Sequence, residues 1–385
     1  MNELLQRGPE IPAGTWEYEW FSSVVAKTAE FAGRLSHWNG KLYEQPGQVS
    51  GIYYPDGSMT ISREHVLDPA RPAYTPGRTP PYAELSAAAG ATRMAVYQAR
   101  LSLSGYGADN DTDVLAFVPH EDVALERGLA DRFTQRYGAR IADELSEHPL
   151  PISGSGPAFP AFTTATDRLL APLAGATGMG AGELRDLIER TEIPDRFDVI
   201  ADRVIDHQVG DLVPETHRAG LREHLAGPLR RGLGGLAMTE YSELTHPGSK
   251  QTWGDKSAEL TDVEFSVNLD DIKAHYESWN ADNPGVEPPE LPDALRETFL
   301  DRQEQVGQIW ADAGWPAQQP APGREPATYE RVTPVAREQE IARLRQFLGS
   351  HTGPSQRPDP AVDATGRPDN VRQIGSARRP ERGIE

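Results

Sequence analysis

Apolar side chains return every three to four residues in one segment after another, and Pro/Gly-rich stretches cut those segments apart. A stripe of that period can be buried only against a neighbouring element, so the pattern points to helices packed on helices. Thr15 stands where a helix over 16–38 needs its cap, with Trp20, Phe21, Val24, Val25, Phe31 and Leu35 on the inward face. The same spacing predicts a helix over 82–103, bent or broken near Gly90, and one over 120–144 facing inward through Val123, Leu125, Leu129, Phe133 and Ile141. Further helices are expected over 161–175, 182–190, 194–209, 215–233, 294–313 and 333–348, and over 270–279 with Asn268 as cap. One segment breaks the period. Two β-prone runs between Val49 and Ser62 flank Pro55-Asp56-Gly57, which predicts a hairpin.

With 385 residues, the chain has room for two domains or one domain with additions. The expected division is an N-terminal helix in 1–44 packed on a main domain of 45–213, a helical region of 214–349 and a disordered tail of 350–385. Lysine plus arginine number 38 against 58 aspartate plus glutamate, a net charge of −20. Such a surface repels phosphate, so neither nucleic acid nor an anionic membrane is an expected partner. No stretch approaches the roughly 20 apolar residues of a membrane helix, and no basic segment leads into an apolar core at the N-terminus, so a cytoplasmic location is expected. The absence of cysteine removes disulfides, thiolate metal sites and cysteine nucleophiles.

Three stretches are similar to the zincin metallopeptidases, in particular to the gluzincin type. Gly51-Ile52-Tyr53-Tyr54-Pro55-Asp56-Gly57-Ser58-Met59-Thr60-Ile61 resembles the strand that edges their active site. Ala91-Thr92-Arg93-Met94-Ala95-Val96-Tyr97 resembles the approach to their zinc helix, and Ala124 to Phe133 the helix that supplies the third ligand. The resemblance covers about residues 45–210. It implies an α+β, mainly helical fold in which a zincin-like domain with a small β-hairpin or sheet is followed by a helical C-terminal region.

In that family His-Glu-x-x-His places two imidazoles on one helix face and a general base between them. Here the aligned residues are Gln98, Ala99 and Ser102, which are weak donors and a methyl group. The third ligand falls on Arg127, or on Glu126 if the register slips by one. No two of the ten histidines lie four residues apart, so the motif is not displaced elsewhere. The resemblance makes Gln98, Ala99, Ser102, Glu126 and Arg127 the former cleft positions, with Tyr53, Asp109 and Asp111 as neighbours. Arg127 is expected to fill the zinc cavity and to pair with Asp109, Asp111 or Asp113. No metal and no cofactor is expected.

Other constellations read more simply. Glu121 and Asp122 after His120 suit the positive end of a helix, and His217 and His224 lie about 10 Å apart along one helix, too far to share a metal. Gly232-Leu-Gly-Gly lacks the residues of a phosphate loop. The reading is therefore a catalytically degenerate metallopeptidase-like protein, a binding, scaffold or regulatory module that takes a protein or peptide partner in the old cleft. Two alternatives stand beside it: an active enzyme reusing the cleft without the usual ligands, and a structural or assembly protein.

Overall fold

Thr15 opens the first helix, α1 (Trp16–Ala32), and its side chain accepts a hydrogen bond from the Tyr18 amide at 3.4 Å. The helix stops at Gly33, whose φ of 61° is left-handed, and does not run to Trp38 as its apolar spacing suggested. Leu35, expected on the buried face, is 89% exposed. The computed structural model describes residues 7–47, 49–106, 120–151, 156–241 and 246–291. It is mainly helical, with a small sheet.

The sheet holds β1 (Leu42–Glu44), β2 (Gly51–Tyr53) and β3 (Met59–Ile61) in the order β1-β3-β2. β2 and β3 form the antiparallel hairpin, pairing Gly51 with Ile61 and Tyr53 with Met59. Its turn is held by Gly57 at φ 81° and by Asp56, whose Oδ1 accepts from the Ser58 amide at 3.0 Å and its hydroxyl at 2.7 Å. β1 joins in parallel, Leu42 beside Met59. Three residues carry no readable alternation, so only the hairpin was visible in the sequence.

After the single turn α2 (Asp68–Ala70), α3 (Tyr82–Leu101) runs through Gly90 without a break in the helix. Nothing lies within 4 Å of a Cβ built there, so the glycine costs only its lower propensity, about 1 kcal/mol, within a run of strong helix formers. The remaining helices are α4 (His120–Leu145), α5 (Pro160–Thr177), α6 (Ala181–Arg190), α7 (Arg196–Gln208), α8 (Arg218–Glu240) and α9 (Pro247–Asp282).

The last helix begins far ahead of the expected 270. His246 caps it through its side chain and Pro247 takes the first position. Asn268 is therefore not a cap. It lies inside α9, 2% exposed, and its Nδ2 donates to the His224 carbonyl of α8 at 2.9 Å. The α-helical donor to that carbonyl would be the amide of residue 228, which Pro228 lacks.

Glycine sets how close the C-terminal helices come. A Cβ on Gly232 would lie 1.9 Å from the Thr261 hydroxyl, and one on Gly254 would lie 2.5 Å from the Ala161 carbonyl. The Gly232 segment thus serves the α8–α9 contact. At the start of α5, Glu240 accepts from the Ala161 amide at 2.6 Å and the Phe162 amide at 3.3 Å, placing a carboxylate on free amides of the first turn.

Two apolar clusters result. One gathers α1, the sheet and α3 around Phe21, Leu42, Met59 and Val96. The other gathers α5 to α9 around Phe162, Phe197, Leu225 and Ile272. Helix α4 serves both, giving Leu125 and Leu129 to the second and Phe133 and Ile141 to the first. The described residues all fall in one compact unit. The expected helices over 294–313 and 333–348 and the tail lie outside the described residues.

Candidate functional site

The two clusters meet at a polar junction that three chain segments assemble. Helix α3 ends at Ser102, whose carbonyl accepts from the His37 amide at 2.7 Å. The chain then passes Ser104, and the Gly105 carbonyl takes the Ile193 amide at 2.9 Å. This bond fixes the turn before α7 against the exit of α3, so Arg196, the first residue of α7, reaches Ser104 and α4.

Glu126 of α4 is the centre of the junction. Arg100 donates to its Oε1 at 3.2 Å, Ser104 donates to its Oε2 at 3.2 Å, and Arg196 also donates to Oε2. The Ser104 oxygen in turn accepts from Arg100 at 3.0 Å and from Arg196 at 2.9 Å. Glu126 is 4% exposed, Arg196 1%, and Arg100 and Ser104 are fully buried. Burial pushes the Glu126 carboxyl up, but the guanidiniums of Arg196 and Arg100 outweigh it and hold the group below the ordinary carboxylate range. Glu189 stands 3.7 Å from Arg100. Arg34 lies near enough to feel the cluster, and burial, followed by the Arg100 charge, brings it down to about 10.

The sequence-derived positions distribute around this junction as follows. Gln98 is 4% exposed and lies against β2, where a Cβ on Gly51 would meet its Cγ at 3.2 Å. Ala99 is fully buried. The Ser102 hydroxyl donates to the Ala99 carbonyl at 2.7 Å and shares a hydrogen bond with Ser36 at 2.7 Å. At 100° per residue, positions 98 and 102 share one face of α3, and position 100 points to nearly the opposite side. It is Arg100 that meets Glu126. Gln98 and Ser102 are directed to the sheet and to the segment after α1, and among the described residues neither has a hydrogen bond to Glu126 or Arg127.

Arg127 leaves α4 beside Glu126 but engages different groups. It donates to the Tyr241 hydroxyl, and its guanidinium lies 5.1 Å from the ring centres of both Phe159 and Tyr241. Tyr53 stacks on Tyr106 with ring centres 5.6 Å apart, and burial raises both hydroxyls far above the usual range. Asp109, Asp111 and Asp113, expected to pair with Arg127, lie outside the described residues. No group of three or more His, Asp or Glu among the described residues is placed to hold a metal ion.

No family model, no curated protein and no solved structure matches this chain. The junction therefore has to be read from its own chemistry. Its two central arginines were missed in the sequence. Arg100 sits among Val96, Ala99, Leu101 and Leu103, and Arg196 precedes Phe197 in a helix with Ile200 and Val204. Charged residues are almost never fully buried unless paired, and neither partner is near in sequence. The one available signal was Arg100 interrupting the apolar end of α3; Arg196, between Asp195 and Asp198, offered none.

Proposed function

We propose that this chain acts by binding, as a scaffold or regulatory module, and not by chemistry at the junction. The observation that supports this is the saturation of Glu126. A general base must be free to take a proton, and a metal ligand must be free to give a lone pair. Glu126 is anionic, nearly sealed from solvent, and occupied at both oxygens by Arg100, Arg196 and Ser104. On this reading the likeness to zincin metallopeptidases remains a proposal about ancestry only, and the ion cluster is not the former metal position, because Gln98 and Ser102 leave α3 on the side away from Glu126. A protein or peptide is the proposed partner class.

The competing reading is an enzyme that reuses this interior. It rests on the Tyr97 hydroxyl and the Gln98 Oε1, both buried without a hydrogen-bond partner among the described residues. Unpaired buried groups are costly, and substrates sometimes supply the partner. The two readings separate in one experiment. The purified full chain is incubated with a broad peptide panel, with and without chelator, and its metal content is measured. No hydrolysis and no stoichiometric metal are expected. Chelator-sensitive cleavage or one bound zinc per chain would overturn the non-catalytic reading.

A further inference from the structure

Arginines drawn into this fold commonly meet carboxylates. Arg93 lies 3.4 Å from Asp131, Arg100 and Arg196 hold Glu126, and Arg230 is 2.5 Å from Asp198. Arg127 does not. It is half-buried, and among the described residues no carboxylate lies within ion-pair distance of it. A charge taken partly out of water is costly unless it is paired, so an unmatched guanidinium is a place where an anion can be gained.

The carboxylates around it are committed elsewhere. Glu126, its neighbour in the chain, is filled by Arg100, Arg196 and Ser104. Asp131, one turn on, accepts from Arg93 at 3.4 Å, from the Phe159 amide at 3.2 Å and from the Thr163 hydroxyl at 2.8 Å. Glu240 is near enough to favour the Arg127 charge, but it accepts from the first-turn amides of α5 and lies 3.6 Å from Lys250. What holds Arg127 is aromatic. Its Nη1 donates to the Tyr241 hydroxyl, and the ring centres of Phe159 and Tyr241 each lie 5.1 Å from the guanidinium. Tyr97 backs Phe159 with ring centres 5.4 Å apart. The rings steady the guanidinium without supplying an anion, and the edge carrying Nε and Nη2 has no acceptor among the described residues.

We propose that Arg127 anchors a carboxylate of the protein partner, an acidic side chain or a chain terminus, which accepts two parallel hydrogen bonds from Nε and Nη2. The inference deepens the binding role given above and rests on its partner class. A planar guanidinium edge matches the two oxygens of a carboxylate. Arg127 lines neither the cavity beside Leu169 and Phe197 nor the cleft beside Phe31 and Tyr137, so a small free acid would find little else to hold it. An acid carried on a protein brings its own surrounding contacts. On a chain of net charge −20, an unmatched cation also singles out one point at which an acidic group is accepted.

The test is an NMR titration of the nitrogen-labelled full chain that follows the Arg127 Nε–H signal, assigned by its loss in Arg127→Gln, and the neighbouring Gly128 amide. Three probes are compared: acetyl-Gly-Glu-Gly-amide, acetyl-triglycine with a free terminus, and the neutral acetyl-Gly-Gln-Gly-amide. Saturable shifts in the millimolar range are expected with an acid, and binding of the glutamine peptide should be weaker by roughly tenfold or more. The tighter of the two acids identifies a side chain or a terminus as the source. Arg127→Lys keeps the charge without the planar edge, and the Gly128 amide should report affinity lowered by roughly tenfold. No saturable shift with either acid, an equal response to the glutamine peptide, or unchanged affinity in the folded lysine variant would overturn the proposal. So would binding that appears only after Asp109, Asp111 and Asp113 are changed to asparagine, since the chain's own acids would then be the occupant. Peptide cleavage or bound zinc would overturn the non-catalytic reading and leave these shifts in place, so the two failures are distinguishable.

Discussion

The two apolar clusters solve the same burial problem by different means. The C-terminal cluster is helix on helix, and glycine at positions such as 232 and 254 brings backbones close enough for aliphatic side chains to interlock. The N-terminal cluster joins a helix pair to a sheet of three-residue strands, and aromatic rings fill the less regular gaps: Trp16 on Trp20, Trp20 beside Tyr74, Phe21 against Trp38. Between them the chain places charge. Arg100 comes from the first region, Arg196 from the second and Glu126 from the shared helix. An apolar seam would tolerate many relative orientations of α3, α4 and α7. Hydrogen-bonded charges tolerate few, and such a cluster fixes geometry more than it adds net stability.

The largest effect should come from breaking this seam. Glu126→Ala leaves two buried guanidiniums without their carboxylate, and such losses cost about 3–5 kcal/mol. Urea denaturation of the variant should show a reduced midpoint. The comparison sharpens with the triple replacement Glu126→Leu, Arg100→Met, Arg196→Met. If the seam serves orientation, this apolar variant should recover most of the lost stability. If the triple variant is as unstable as the single one, the ion cluster contributes net stability, and the contrast with the apolar clusters is wrong.

The same division explains what the sequence disclosed. Helices with one apolar stripe, such as α1, α4 and α7, were visible because one-sided burial leaves a period. α9 was read only over its last turns. It contacts both α5 and α8, so its buried residues, Ala258, Phe265, Leu269, Ile272 and Tyr276, mix with polar ones such as Ser257, Thr261 and Asn268 that meet the neighbouring helices. The end of α1 was misplaced because Gly33 overrides an apolar run that continues to Trp38. Of the candidate site, Glu126 was named from a family resemblance, yet the residues that engage it were not. Arg100 and Arg196 lie 26 and 70 residues from Glu126 in the chain, and no local pattern encodes a pairing of that separation.

A second, smaller test concerns pH at the edge of the seam. Asp122, in the first turn of α4, is 5% exposed, and its Oδ1 has no hydrogen-bond partner. Burial pushes its carboxyl up to about 7, aided by Glu121 and Asp198 and opposed by Arg230 and Arg196. The unfolded chain ionises this group near 3.8, so the folded state holds the proton more tightly. Its contribution is therefore complete below about 3.8 and is lost as pH rises through about 7. Asp122→Asn should leave stability unchanged in acid and raise it above neutrality by an amount of order a few kcal/mol. Parallel pH profiles for the variant and the parent would show that Asp122 does not titrate in this way.

The smallest effect tests the C-terminal cluster alone. Pro228 removes one helical hydrogen bond from α8, and Asn268 of α9 supplies the missing donor to the His224 carbonyl. Asn268→Leu keeps the volume and removes this donor from the part-buried His224 carbonyl, at a cost of about 1 kcal/mol. Pro228→Ala restores the amide at residue 228, so the helix can satisfy the carbonyl itself. Combined with Asn268→Leu it should recover most of the loss, and the coupling should appear as non-additivity in denaturation midpoints. Strict additivity would mean that the polar contact between α8 and α9 is incidental. The C-terminal cluster would then rest on packing alone, and its difference from the charged seam would be greater still.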